Sequence, residues 1–128
     1  MSLLLLVPIL ATSVAAEGGF TLSQPGQFVV EKVAGDELAH DIYSIAIDAR
    51  GRVHVSGPGY IRRLVDADAD GRFDAVKTFF AGPTSGCQGM VFHERALFAT
   101  GGDGLLRFDD SDEDGAADGP PVVLLRLS

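Results

Sequence analysis

Asp66-Ala67-Asp68-Ala69-Asp70-Gly71-Arg72-Phe73-Asp74 returns 44 residues later as Asp110-Ser111-Asp112-Glu113-Asp114-Gly115-Ala116-Ala117-Asp118. Four Asp and one Gly keep their places, and the flanks return with them. At the same offset Gly57 matches Gly101, Arg63 matches Arg107, and Tyr60-Ile61-Arg62-Arg63-Leu64 lies over Gly104-Leu105-Leu106-Arg107-Phe108. A chance acidic motif would not carry its surroundings, so one structural unit occurs twice. A period of this length, when the unit is made of short strands, points to β-propeller blades of four strands each or to related β repeats.

The unit does read as short strands. In the first copy, 45–47 forms a strand, Asp48-Ala49-Arg50-Gly51 a turn, and 52–55 a strand that alternates Val with polar residues. Gly57-Pro58-Gly59 breaks the chain before a strand over 60–65, the acidic loop follows, and 76–80 completes the unit. The second copy places strands at 89–92, 96–100, 105–108 and 122–127. Upstream, 28–33 resembles 76–80, down to the Ala-Gly that follows each, and reads as the last strand of an incomplete preceding unit. No stretch sustains a helical apolar period, so the expected class is all-β: a partial propeller of about two four-stranded blades plus one extra strand.

Residues 1–16 are apolar, from Leu3-Leu4-Leu5-Leu6 to Val14-Ala15-Ala16, and end on the small residues a signal peptidase reads. A signal peptide over 1–16 predicts a periplasmic or secreted chain, although no basic residue precedes the run. The competing reading is a buried N-terminal strand or a misplaced start. The run is too short, and too broken by Pro8, to span a bilayer as a helix. Residues 17–128 then form the mature domain, which can hold one small core but not a closed ring of blades. With Cys87 as its one cysteine, the chain has no internal disulfide, and its stability must come from packing, ions or a partner.

The net charge of −8 has a local origin: residues 66–74 and 109–118 hold 10 of the 18 acidic side chains, with Arg72 their one base. Two acidic loops would repel phosphates, which argues against nucleic acid and anionic membranes as partners. It argues for cations. Asp-x-Asp-x-Asp-Gly is the opening of a calcium loop, because carboxylates at alternate positions of a tight turn converge on one hard cation and the Gly permits the bend that brings in the next carbonyl. The expected ligands are Asp66, Asp68, Asp70, the Arg72 carbonyl and Asp74 in the first loop, and Asp110, Asp112, Asp114, the Ala116 carbonyl and Asp118 in the second. Asp74 and Asp118 would bind directly or through water. Lys77 and Pro121 stand where an EF-hand carries its bidentate Glu at position twelve, so affinity should be lower than in that motif. The bland reading is a pair of solvated hairpin tips. Two copies in register favour calcium, since clustered carboxylates without a counter-ion cost stability that a plain loop avoids.

No catalytic constellation is visible. His40, His54 and His93 lack metal-ligand spacing. His93 reads as an exposed turn residue, His54 as either exposed or at an interface between blades, and Cys87 as a small buried side chain rather than a nucleophile. There is no haem-attachment, phosphate-loop or dinucleotide motif.

From Gly26 onward the chain resembles the exported β-propeller domain of membrane-bound dehydrogenases from planctomycete-type bacteria, which is similar to the soluble quinoprotein glucose and sorbosone dehydrogenases. The matching residues are Phe28 to Gly35, Ile45-Ala46-Ile47-Asp48 with Gly51-Arg52, Gly57 to Arg62 and the first acidic loop. They continue with Gly86-Cys87-Gln88-Gly89-Met90, Gly102 to Arg107 and the second loop through Gly119-Pro120-Pro121. Cys87 departs from the small residue, usually Ala, of that pattern. The resemblance implies sugar or alcohol oxidation in which a histidine base removes a proton as hydride passes to pyrroloquinoline quinone (PQQ), often with a c-type cytochrome domain. Such a base is expected in later blades, so the catalytic and quinone-binding residues stay unassigned. The expected partners are the remaining blades or further copies of the chain. The preferred reading is a calcium-binding propeller fragment without independent turnover. The rivals are a subunit completed by other chains into an active dehydrogenase, and a calcium-dependent adhesion or scaffold module.

Overall fold

A computed structural model describes residues 30–102 and 104–127. The chain divides into two compact units, 1–32 and 33–128, and the architecture below belongs to the second. The expected signal peptide lies outside the described residues.

Eight strands follow one another: β1 (Ser44–Ile47), β2 (Val53–Gly57), β3 (Tyr60–Val65), β4 (Ala75–Phe80), β5 (Cys87–His93), β6 (Ala96–Gly101), β7 (Gly104–Asp109) and β8 (Val122–Arg126). They form two antiparallel sheets, ordered β1-β2-β3-β4 and β5-β6-β7-β8, each strand paired with its neighbour in sequence. Among the described residues there is no helix, and none is long and apolar enough to cross a membrane. The all-β expectation and the two four-stranded units therefore hold. Residues 30–33 form no strand, contrary to expectation, and 28–29 lie outside the described residues. A strand needs a ladder. Among the described residues Val33 makes one backbone bond of this kind, its carbonyl accepting from the Phe73 amide at 2.7 Å.

The two sheets share one irregularity too. Each carries a β-bulge at one place in its fourth strand, where Phe79 of β4 and Leu124 of β8 are the extra residues opposite the Ile61–Arg62 and Leu105–Leu106 steps; β5 has a further register shift, between Cys87 and Gly89, that β1 lacks. The offset of 44 holds for β2 and β3, but pairing equates Ala46 with Val91 and Lys77 with Val122, an offset of 45 at the outer strands. The first hairpin turn is one residue shorter in the second copy, and one residue is added before β8.

Alternation along the strands gives each sheet two faces. One face of the first sheet presents Ala46, Ile61 and Phe79 to Cys87, Leu97, Ala99, Leu106 and Phe108 of the second, and this seam is the main core. Its other face presents Val55, Tyr60 and Leu64 to Leu38 and Ala39 of the entering chain, a second, smaller core. Ser56 ties the seam across, its buried hydroxyl accepting from the Cys87 amide at 2.8 Å, while the Ser44 hydroxyl donates to the Cys87 carbonyl at 2.8 Å. Cys87 is buried, as expected, and that burial raises its thiol pKa.

Candidate metal centres in two equivalent loops

Each acidic loop joins the third and fourth strands of its sheet, and the two follow one hydrogen-bond plan. The Asp74 amide donates to the Val65 carbonyl at 3.0 Å, and the Asp118 amide to the Asp109 carbonyl at 2.8 Å. Within the first loop, Gly71 donates its amide to Asp66 Oδ2 at 2.9 Å, Asp70 to Asp68 Oδ1 at 3.3 Å and Arg72 to Asp70 Oδ1 at 2.8 Å. The second repeats this with Gly115 to Asp110 Oδ2 at 3.2 Å, Asp114 to Asp112 Oδ1 at 3.2 Å and Ala116 to Asp114 Oδ1 at 2.8 Å. The backbone path matches as well: Ala69 and Glu113 have φ of 61° and 58°, Gly71 and Gly115 of 89° and 88°. A left-handed residue other than Gly costs about 1–2 kcal/mol, so the surrounding bonds must impose the shape at Ala69 and Glu113.

This path gathers the carboxylates the sequence singles out. Ligand oxygens of Asp66, Asp68 and Asp70 lie within 4.8 Å of one another, as do those of Asp110, Asp112 and Asp114. Asp74 and Asp118 stand outside those triads and close the loops instead. Asp74 Oδ1 accepts from the Ala67 amide at 3.1 Å, while Asp118 accepts from the Ser111 amide at 3.1 Å and from its hydroxyl. Arg72 and Ala116, expected to offer carbonyls, also use their amides to orient the third Asp of each loop.

The loops differ in one respect. Asp66 has both oxygens engaged, Oδ1 by the Asp70 amide at 3.2 Å and Oδ2 by Gly71. Its counterpart Asp110 is only 4% exposed, and its Oδ1 has no hydrogen-bond partner. Burial, then the charges of Asp114 and Asp112, push the Asp110 carboxyl above its usual pKa, against the Gly115 amide and Arg52. A buried carboxylate oxygen without a donor is costly. A hard cation held by an all-oxygen set would satisfy it, so the donors present fit calcium.

The cover over Asp110 comes from the first sheet. Arg52 donates from Nη1 to the Glu113 carbonyl at 3.1 Å and from Nε to Asp48 at 2.5 Å, and its Nη2 lies 3.9 Å from Asp110 Oδ2. Arg63 donates to the Asp114 carbonyl at 3.1 Å, and Arg50 pairs with the Glu113 carboxylate at 2.8 Å. Three arginines of one repeat thus hold the acidic loop of the next. The recurrence of Arg63 at Arg107 hints at this in sequence, but the contact itself depends on how the sheets stack.

His54 also lies in the seam, with its side chain fully buried. Its ring meets Phe79 of β4 at 5.4 Å and Phe92 of β5 at 4.6 Å between centroids, so of the two expected positions the structure shows the one at an interface. His93 is exposed, as expected. Among the described residues no nucleophile stands with a base and an orienting group.

The fold and loops define an all-β protein of consecutive four-stranded antiparallel units, each carrying an Asp-x-Asp-x-Asp-Gly loop. Residues 19–125 match the family described as a domain of unknown function, DUF7133, and the chain belongs to that family. No curated protein and no solved structure matches the chain.

Proposed function

We propose that this is an exported calcium-binding part of a β-propeller of the quinoprotein sugar and alcohol dehydrogenase type, without turnover of its own. The observation that carries the calcium reading is the Asp110 carboxylate, buried and half-satisfied within a triad that recurs 44 residues away. Two meander sheets packed face to face, with matching bulges, support reading them as consecutive blades. The apolar N-terminal run supports export to the periplasm or beyond. The dehydrogenase link rests on sequence resemblance alone, and with it PQQ, a c-type cytochrome partner and a base elsewhere in the ring. The exposed apolar residues Ile45, Ile47, Val91 and Leu125 favour a second reading, in which other chains complete the ring into an active subunit. A calcium-dependent scaffold would use the same surfaces.

Calorimetric titration with calcium tests the first claim. Binding is expected in the unsubstituted chain and is weakened by Asp68→Ala and by Asp112→Ala. Absence of heat at millimolar calcium would reduce the loops to acidic turns. Quinone-dependent dye reduction with sugars by the chain alone would restore the enzyme reading.

A further inference from the structure

The two acidic loops share a shape but not a setting. The backbone of the second loop works on two sides. Toward its triad it gathers the carboxylates of Asp110, Asp112 and Asp114. Toward the first sheet it offers the Glu113 and Asp114 carbonyls, which accept from Arg52 Nη1 and Arg63 Nη1, each at 3.1 Å. The Ala117 amide then donates to the Phe79 carbonyl of β4 at 2.9 Å, and Ala117 packs against the main core. In the first loop, the hydrogen bonds made by the described residues 66–72 stay inside the loop.

Sheet docking and cation binding therefore act on the same atoms. Closing the sheets buries Asp110 and strips water from its Oδ1, which no donor replaces. A carboxylate oxygen left in that state is costly, and a hard cation removes the cost. The cation in turn fixes the path through Glu113 and Gly115, both with positive φ, that presents the Glu113 and Asp114 carbonyls to the arginines. The arginines also repel a cation, but most of that charge is already matched. Arg52 is paired with Asp48 and Arg50 with Glu113, so of these three only Arg63 lacks a carboxylate partner among the described residues, against three carboxylates in the triad.

We propose that the second acidic loop is a clamp between the sheets: calcium held by Asp110, Asp112 and Asp114 and the closed seam stabilise each other, whereas calcium in the first loop leaves the seam unchanged. The proposal rests on the calcium reading. The coupling is reciprocal, because an ion that binds the docked loop more tightly than the undocked one favours docking by the same factor. Cys87 reports on the seam from inside it. It is the one cysteine of the chain and fully buried, and its amide and carbonyl are both bonded across the seam, to Ser56 and Ser44. A thiol reagent reaches it when the seam opens.

Iodoacetamide labelling of Cys87 in the full chain, in calcium and in chelator, tests it, with calorimetry alongside to count bound calcium. Asp68→Ala disables the first loop and Asp112→Ala the second, both at exposed positions, and circular dichroism checks that the strand signal is kept. At about a hundredfold excess of calcium over Kd, labelling is expected to slow by up to about a hundredfold, the limit reached when the open form does not bind the ion. Asp68→Ala is expected to keep this slowing, and Asp112→Ala to lose it while still binding calcium in the first loop. Calcium that binds yet leaves the labelling rate unchanged overturns the clamp and leaves the calcium reading standing. So does slowing that Asp112→Ala keeps or that Asp68→Ala loses, and the Asp68→Ala comparison decides even where Asp112→Ala fails to fold. No binding heat from any of the three proteins at millimolar calcium overturns the calcium reading, and the clamp with it.

Discussion

His54 makes the stability of the seam depend on pH, with a direction and size that follow from its surroundings. Nδ1 lies 3.2 Å from the Arg52 carbonyl and donates to it, which leaves Nε2 as a bare acceptor among Phe79 and Phe92. A proton on Nε2 would place a charge where no water or acceptor meets it. Burial therefore lowers the pKa from 6.5 to about 4, although the Arg52 carbonyl and the Asp48 carboxylate, 4.0 Å away, favour the charged form. The unfolded chain takes up this proton first as pH falls, so the stability is whole above about pH 7 and is lost between 6.5 and 4. At about 1.36 kcal/mol per pKa unit, the loss reaches about 2 kcal/mol at pH 5 and about 3 kcal/mol at pH 4. His54→Leu keeps the volume and leaves the Arg52 carbonyl bonded to the Asp48 amide at 3.1 Å. Urea unfolding of both proteins at a series of pH values isolates the histidine as a difference. A difference that stays flat from pH 7.5 to 5 would refute the reasoning, because the imidazole would then titrate alike in both states.

Three further outcomes follow from single positions. Gly115→Ala should cost more stability than Gly71→Ala: both sites have left-handed backbones, worth about 1–2 kcal/mol, but a Cβ at Gly115 would lie 2.5 Å from Arg63 Nη1, whereas at Gly71 it meets nothing within 4 Å. Paired thermal melts check the order. Phe79→Ala should cost about 3–5 kcal/mol by emptying the centre of the seam, read by urea unfolding. Cys87 should resist a thiol reagent in the native state and react once the chain is unfolded, because it is buried and its thiol is held neutral.

Much of this architecture is legible in the residues. The strand over 60–65 coincides with β3, and 76–80 misses only Ala75 of β4, because a Gly-Pro-Gly break and an acidic loop bound them on both sides. The acidic triads were legible too, since alternate Asp before a Gly dictates a local turn. What escaped depends on stacking. Asp66 and Asp110 are the same letter in the same register, yet only Asp110 is covered, since only the second loop has a neighbouring sheet to supply Arg52 and Arg63. The inward turn of His54 is likewise decided by Phe92 across the seam rather than by its own strand. Residues 30–33 have strand composition, but composition supplies no ladder partner.

Calcium-dependent stability tests the central claim most directly. Thermal unfolding of the chain should be followed in calcium and in chelator, with Asp110→Ala beside it. Metal bound to the folded loops at a hundredfold excess over Kd adds about 2.7 kcal/mol, a rise on the order of 10 °C for a domain of this size. The account predicts that rise in the unsubstituted chain and a smaller one in Asp110→Ala. Coincident melts in calcium and chelator would contradict it.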